Sequence, residues 1–152
     1  MALSDDSLIN LKRQDVETQA TLTMPVLTAA VLFYGSLCSH DTTSGAIKPF
    51  DGTQTDRLVG WHFADSVTGD TTEDDPPVGT ILSGGFVWVD LPVATLADDA
   101  TDWGKPVFAT DDGTYTITDP TSGQVIGRIV ATAGKAAGLA DVRVVDVMNL
   151  LV

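Results

Sequence analysis

With 152 residues and a formal charge of −13, from 21 acids against 8 bases, the chain has the size of one domain and the wrong sign to approach a phosphate backbone. Such binding depends on Lys and Arg releasing counterions, so a nucleic-acid binder is excluded as the expectation. The 43% apolar content supplies a core and excludes global disorder, while Cys38, the single cysteine, excludes an internal disulfide framework and a cysteine-cluster zinc site.

The acids are 19 Asp to 2 Glu and come with 20 Thr, 14 Gly and 7 Pro. Asp, Gly and Pro favour turns while Thr and Val favour strands, so the composition predicts an all-β chain of short strands and many turns. Residues 1–24 contain no Gly, Pro or aromatic residue and read as an N-terminal arm. Within it, Leu8, Ile9, Leu11 and Val16 are the apolar side chains of either a short helix from near Ser7 or an extended segment gripping a partner. Asp5 and Asp6 stand where an export signal would be basic. The longest apolar stretch, Pro25 to Cys38, is broken by Thr28, Gly35 and Ser36, falls short of the roughly 20 residues that span a bilayer, and reads as buried strand. No membrane partner is expected.

Residues 25–152 form the expected β-domain, with strands near 26–34, 45–50, 57–64, 79–82, 85–91, 106–110, 114–118, 124–131 and 141–147. Alternation predicts that Val59, Trp61 and Phe63 point inward and that Leu58, Gly60 and His62 face the other way, with His62 at a surface or interface. The acidic run from Val67 to Pro77 has no periodicity and reads as an exposed, mobile tip. Ala94 to Asp102 is the single helix candidate. After it, Val107 to Thr110 and Thr114 to Thr118 form a hairpin turned at Asp111, Asp112 and Gly113. Residues 58–64 resemble 125–131 at an offset of 67, and 86–90 resemble 142–146 at an offset of 56. This predicts two pseudo-repeats, 25–93 and 94–152, closing as a compact β-barrel or sandwich, with the acidic run as an insertion in the first. In that alignment Arg128 stands where Trp61 stands in the first copy, which points to an edge or interface for Arg128.

Motifs for chemistry are sparse. Ser39, His40 and Asp41 have the residue types of a hydrolytic triad, yet neighbours in a strand project to different sides. With His40 and His62 the only histidines, no His-rich metal site can form. The Asp pairs at 74 and 75, 98 and 99, and 111 and 112 do not fit the EF-hand spacing; Asp98, Asp99 and Asp102 read as a cap and solvated turns. Gly84 and Gly85 lack the following Lys of a phosphate loop. No catalytic residue, metal or cofactor is expected. Of the tryptophans, Trp61 and Trp88 fall in expected strands and read as core, whereas Trp103 reads as surface, suited to a subunit contact or a ligand.

The stretch from Leu96 to Val147 carries Asp102, Gly104, Lys105, Pro106 and Val107, then Ala109 to Asp112, Ile126 to Arg128, and Arg143 to Val145. In these residues it resembles the decoration, or cement, proteins of tailed-phage heads. The acidic insertion and the duplicated layout depart from that family's pattern. The resemblance implies a β-rich, non-enzymatic virion protein, made in the host cytoplasm, that binds the major capsid protein on the capsid exterior, often as a homotrimer. Trp103 and Arg128 are then interface candidates, and Leu8, Ile9, Leu11 and Val16 a capsid-contacting arm. The alternative from a different class is a receptor- or carbohydrate-binding β-module of a phage tail or cell surface, suggested by the tryptophans and Asp-rich loops.

Overall fold

The computed structural model describes residues 3–4, 10–13, 20–83, 87–94, 102–121, 123–131 and 139–144. These hold thirteen strands: β1 (Asn10–Arg13), β2 (Ala20–Pro25), β3 (Val31–Leu32), β4 (Leu37–His40), β5 (Ile47–Pro49), β6 (Arg57–His62), β7 (Val67–Thr68), β8 (Val78–Ser83), β9 (Val87–Ala94), β10 (Pro106–Ala109), β11 (Tyr115–Thr116), β12 (Gln124–Ala131) and β13 (Leu139–Val144). The expected all-β class holds, in a sandwich-like form. One sheet runs β2-β8-β6-β4-β5, a second runs β1-β9-β11-β10-β12-β13, and β3 with β7 makes a two-stranded third. A further ladder, β9 with β13, curls the six-stranded sheet. Two pieces of residues 1–24 are therefore sheet strands: β1 pairs with β9 and β2 with β8. Of the helix expected over 94–102, Ala94 ends a strand, Asp102 opens a turn, and the residues between lie outside those described.

The surplus of Asp over Glu has a local cause. Asp41, Asp51, Asp70, Asp111 and Asp119 each accept a backbone N–H two or three residues on, from Ser44, Thr53, Thr72, Gly113 and Thr121 respectively, at 2.7–3.0 Å. The short carboxylate reaches its own turn, and a Glu side chain is one methylene too long to close the same ring.

The five-stranded sheet is buried on both faces. Between it and the six-stranded sheet lie Leu37, Phe50, Leu58, Trp61, Val107 and Tyr115, with Val93, Ala109, Ile126 and Ile129. On its other face Val26, Leu32, Cys38, Ile47, Val59 and Ile81 form a second core, against which Val67 packs. A bulge in β6 distributes its side chains between the two. The β4–β6 register slips between Cys38 and Ser39, leaving Val59 as the extra residue, and Gly60 takes a φ of +137°. Leu58 and Trp61, three apart, consequently share the first core while Val59 turns to the second. Strict alternation had grouped Val59 with Trp61. His62 faces away from Trp61, as alternation predicts, but the second core covers that face, so the residue expected at a surface or interface is 1% exposed, with its ring nitrogens against the carbonyls of Thr80 (3.2 Å) and Asp65 (2.9 Å). In β12 the register slips against β10 at Ile126, the position aligned with Val59. There, however, Ile126 and Ile129 face the shared core and Val125 and Arg128 face out. The two segments thus carry matching bulges and turn opposite faces inward.

Gly69 fixes the start of the acidic loop. It hydrogen-bonds Ala30 and Ala29 through its N–H and C=O, and a Cβ on it would stand 2.2 Å from the Leu27 carbonyl oxygen and 2.4 Å from that of Val26. Backbone atoms cannot yield as a flexible side chain does. Gly69→Ala is therefore expected to destabilise the fold by about 1–3 kcal/mol, read as a lower urea midpoint with an unchanged slope.

A buried polar chain ties the β10–β11 hairpin to the five-stranded sheet. Asp112, 1% exposed, accepts the Ser36 hydroxyl (3.1 Å) and the Leu3 N–H (2.9 Å), while its own carbonyl accepts the Leu37 N–H (3.0 Å). Phe33 N–H in turn donates to Ser36 Oγ, and Trp61 Nε1–H donates to Tyr115 Oη at 3.1 Å. Next to this chain, the Cys38 thiol donates to the Ser36 carbonyl (3.3 Å) and burial pushes its pKa up. Burial also raises the pKa of the Asp112 carboxyl, against the lowering effect of its hydrogen bonds and with a smaller raising contribution from Asp111. The folded protein binds this proton more tightly than the unfolded chain. The stabilisation is complete below the unfolded value of about 3.9 and is lost as pH rises through the raised folded value. Relative to Asp112→Asn, the wild type is expected to lose stability as pH rises from about 3 towards 7; parallel pH profiles in urea unfolding would refute the assignment.

Candidate interaction surface

The surface around Trp103 is built by one tight turn. Asp102, 1% exposed, accepts Lys105 Nζ at 2.6 Å, and its carbonyl accepts the Lys105 N–H at 3.1 Å. Gly104 passes through the turn with a φ of +79°, a conformation glycine adopts without a Cβ clash. Its N–H donates to the Ile129 carbonyl (2.7 Å), and the Ile129 N–H returns a bond to Lys105 (3.0 Å), so the turn is sewn to β12. Arg128 Nη1 then donates to the Gly104 carbonyl at 2.9 Å. Trp103, at the tip, is 68% exposed. The two interface candidates, distant in sequence, are thereby brought to one place.

The turn leads onto the outer face of the six-stranded sheet. On β10, Val107 and Ala109 are buried while Pro106 and Phe108 are half-buried; on β12, Val125 and Arg128 are exposed. The backbone register continues from this edge across five strands. Pro106 stands opposite Arg128, Arg128 opposite Arg143, Arg143 opposite Trp88, and Trp88 opposite Lys12. Three of the chain's 8 cations therefore hold positions in one transverse row, and Lys105 beside it makes a fourth. The next row along β1, β9 and β13 holds Asn10, Asp90 and Asp141.

Sequence reasoning singled out Trp103 and Arg128, which the structure brings together at this turn, and did not foresee that Lys12, Trp88 and Arg143 share a backbone register with Arg128. Alternation along each strand was available as a signal, but grouping them requires the strand order. Leu11 sits opposite Val89, in a row that continues through Val142 to the buried Ile129. Leu8, Ile9 and Val16 lie outside the described residues. The Ser39, His40 and Asp41 side chains do not converge: Ser39 Oγ donates to Asp56 (3.3 Å), and the Asp41 carboxylate is held by Ser44 (2.7 and 2.5 Å). Asp98 and Asp99 are outside the described residues, and among those described no three His, Cys, Asp or Glu side chains gather as a metal site. Trp61 lies in the core, so it cannot join Trp103 in a surface aromatic platform.

No family model matches the chain, and no curated protein matches it. Its fold is shared with a chain of a phage capsid. That chain belongs to the structure described as "The capsid of Myoviridae Phage XM1" and matches with a TM-score of 0.54, covering 93% of this chain and 89% of that chain at 19% sequence identity. At this identity the likeness is one of fold, and it extends over nearly the full length of both chains.

Trp103 is 68% exposed, so Trp103→Ala is expected to cost less than the roughly 3–5 kcal/mol of truncating a buried aromatic. Urea denaturation measures this directly, and a larger loss would show that the indole packs structurally.

Proposed function

We propose that the chain is a non-enzymatic structural protein of a phage virion, which decorates and stabilises the outer surface of the capsid by binding the major capsid protein. The fold shared with a chain from a phage capsid, over 93% of this chain, carries this reading. A rigid β body without assembled catalytic groups among its described residues suits adhesion, and the turn at Trp103 offers the aromatic and guanidinium side chains that dominate protein contacts. The charge supports the exterior. A packaged genome is a dense polyanion, so a chain at −13 is repelled from the inner wall and tolerated outside. Assembly as a homotrimer would multiply the contacts each unit makes with the shell, converting weak individual contacts into avidity. The protein would be made in the host cytoplasm and added to the particle.

Electron microscopy of particles grown with and without the gene tests the reading. The expected result is a set of symmetry-related densities on the shell exterior that vanish in the deletion and return when purified protein is added. Identical shells in both preparations would overturn it.

A further inference from the structure

We propose that the face made by the Trp103 turn and the outer side of β10 and β12 docks onto a different protein of the particle, at a segment where a carboxylate stands between apolar side chains. The inference rests on the decoration role proposed above and assigns the surface and the partner chemistry that carry it. The footprint is Trp103, Pro106, Phe108, Val125 and Arg128.

Two of the three large apolar side chains exposed among the described residues belong to this face, Trp103 at 68% and Val125 at 42%; the third, Val78, starts β8 in the other sheet. Val125 stands opposite Phe108, and Pro106 opposite Arg128. Val107 and Ala109 are sealed while Pro106 and Phe108 are half-buried, which turns the latter pair outward. Arg128 lies in the middle. On one side are Phe108 and Val125; on the other is Gly104, whose carbonyl Arg128 Nη1 holds at 2.9 Å and which Trp103 directly precedes. The Gly104 and Lys105 bonds to Ile129 fix the turn against β12, so little ordering is required when a partner arrives.

Arg128 dictates the chemistry of the occupant. Lys105 is neutralised by the buried Asp102 and adds no net charge here. Arg128 is exposed, spends one donor on a carbonyl, and pairs with no carboxylate among the described residues. No described side chain turned outward on β10 or β12 is acidic. Covering this guanidinium with apolar surface alone would strand its charge away from water, whereas a carboxylate accepts two of its remaining N–H groups as a fork. The apolar flanks then exclude water around that pair, the arrangement in which arginine and tryptophan carry most binding energy. Two chains at −13 repel each other wherever they meet, so a different protein satisfies this cation without that penalty.

Binding of purified full-length variants to particles grown without the gene tests this, measured by co-sedimentation over a concentration series, with far-UV circular dichroism to confirm folding. The wild type is expected to bind, and more weakly as salt rises. Arg128→Glu and Trp103→Ala are each expected to weaken binding about tenfold or more; Arg128→Lys, which keeps the charge and loses the fork, should weaken it less. Trp103→Ala, a neutral change at an exposed site, keeps the test valid should the charge reversal disturb folding. Thr42→Glu combined with Thr43→Glu, at exposed positions in the turn after β4, changes net charge as much as Arg128→Glu and is expected to bind like the wild type. Folded Arg128→Glu and Trp103→Ala proteins that bind as tightly as the wild type, or a Thr42 and Thr43 variant that loses as much as they do, would overturn this inference and leave the decoration reading standing. Sedimentation velocity showing that the wild type self-associates and that both substitutions abolish it would also overturn it, because the face would then belong to a second copy. Wild-type protein that never binds particles would overturn the decoration reading itself.

Discussion

The packing of the two large sheets depends on the buried carboxyl of Asp112. Apolar contacts determine how much surface leaves water, but they are non-directional and tolerate sliding. A carboxyl removed from water is costly unless its partners are in place, and here they come from Ser36, ahead of β4, and from Leu3 at the start of the described chain. The adjacent Leu37 N–H to Asp112 carbonyl bond and the Trp61 to Tyr115 bond repeat the tie a few residues away. These directional contacts select one registry of the β10–β11 hairpin over β4, and the Trp61 ring is placed against β11 as a result.

The Asp112 anchor also explains why the beginning of the chain is part of the body. A Cβ on Gly113 would stand 2.6 Å from the Leu3 side chain, so the hairpin tip leaves room for that residue to lie on it. Further along, β1 extends the six-stranded sheet and β2 the five-stranded one, so the same short segment contributes to both layers.

Much of the fold was legible because its turns and apolar runs are local signals. The Asp-rich turns, the hairpin around Asp111 to Gly113, and the strands β5, β6, β8, β10 and β12 follow from residue chemistry within a few positions. The composition boundary at residue 24 was visible, but β1 and β2 draw their partners from residues more than fifty positions away, which no local pattern reveals. Parity failed at the β6 bulge. One inserted residue sends Val59 to the face opposite Trp61, and the single hint was Gly60, whose backbone tolerates the required φ. His62 does face away from Trp61, as alternation predicts, and is buried because a second core covers that face. The basic row illustrates a different limit. Lys12, Trp88 and Arg143 were readable as residues, yet their alignment with Arg128 exists only once β1, β9, β13 and β12 are neighbours. Trp103 needed none of this, since its place beside Gly104 in a turn is a local signal.

Charge and structure divide the molecule in a consistent way. Aspartates are spent on turns at its edges, while Arg128 lies exposed on one sheet face and Lys48, between Asp51 and Asp56, neutralises acids locally. Solubility follows from the first group and selectivity of contact from the second.

The sealed position of Cys38 has its own consequence. Its thiol is fully buried, donates to a backbone carbonyl, and is held away from the thiolate form that attacks disulfides. With no second cysteine in the chain, transfer between reducing and oxidising surroundings leaves the covalent structure untouched, so the body's durability in either setting rests wholly on noncovalent packing.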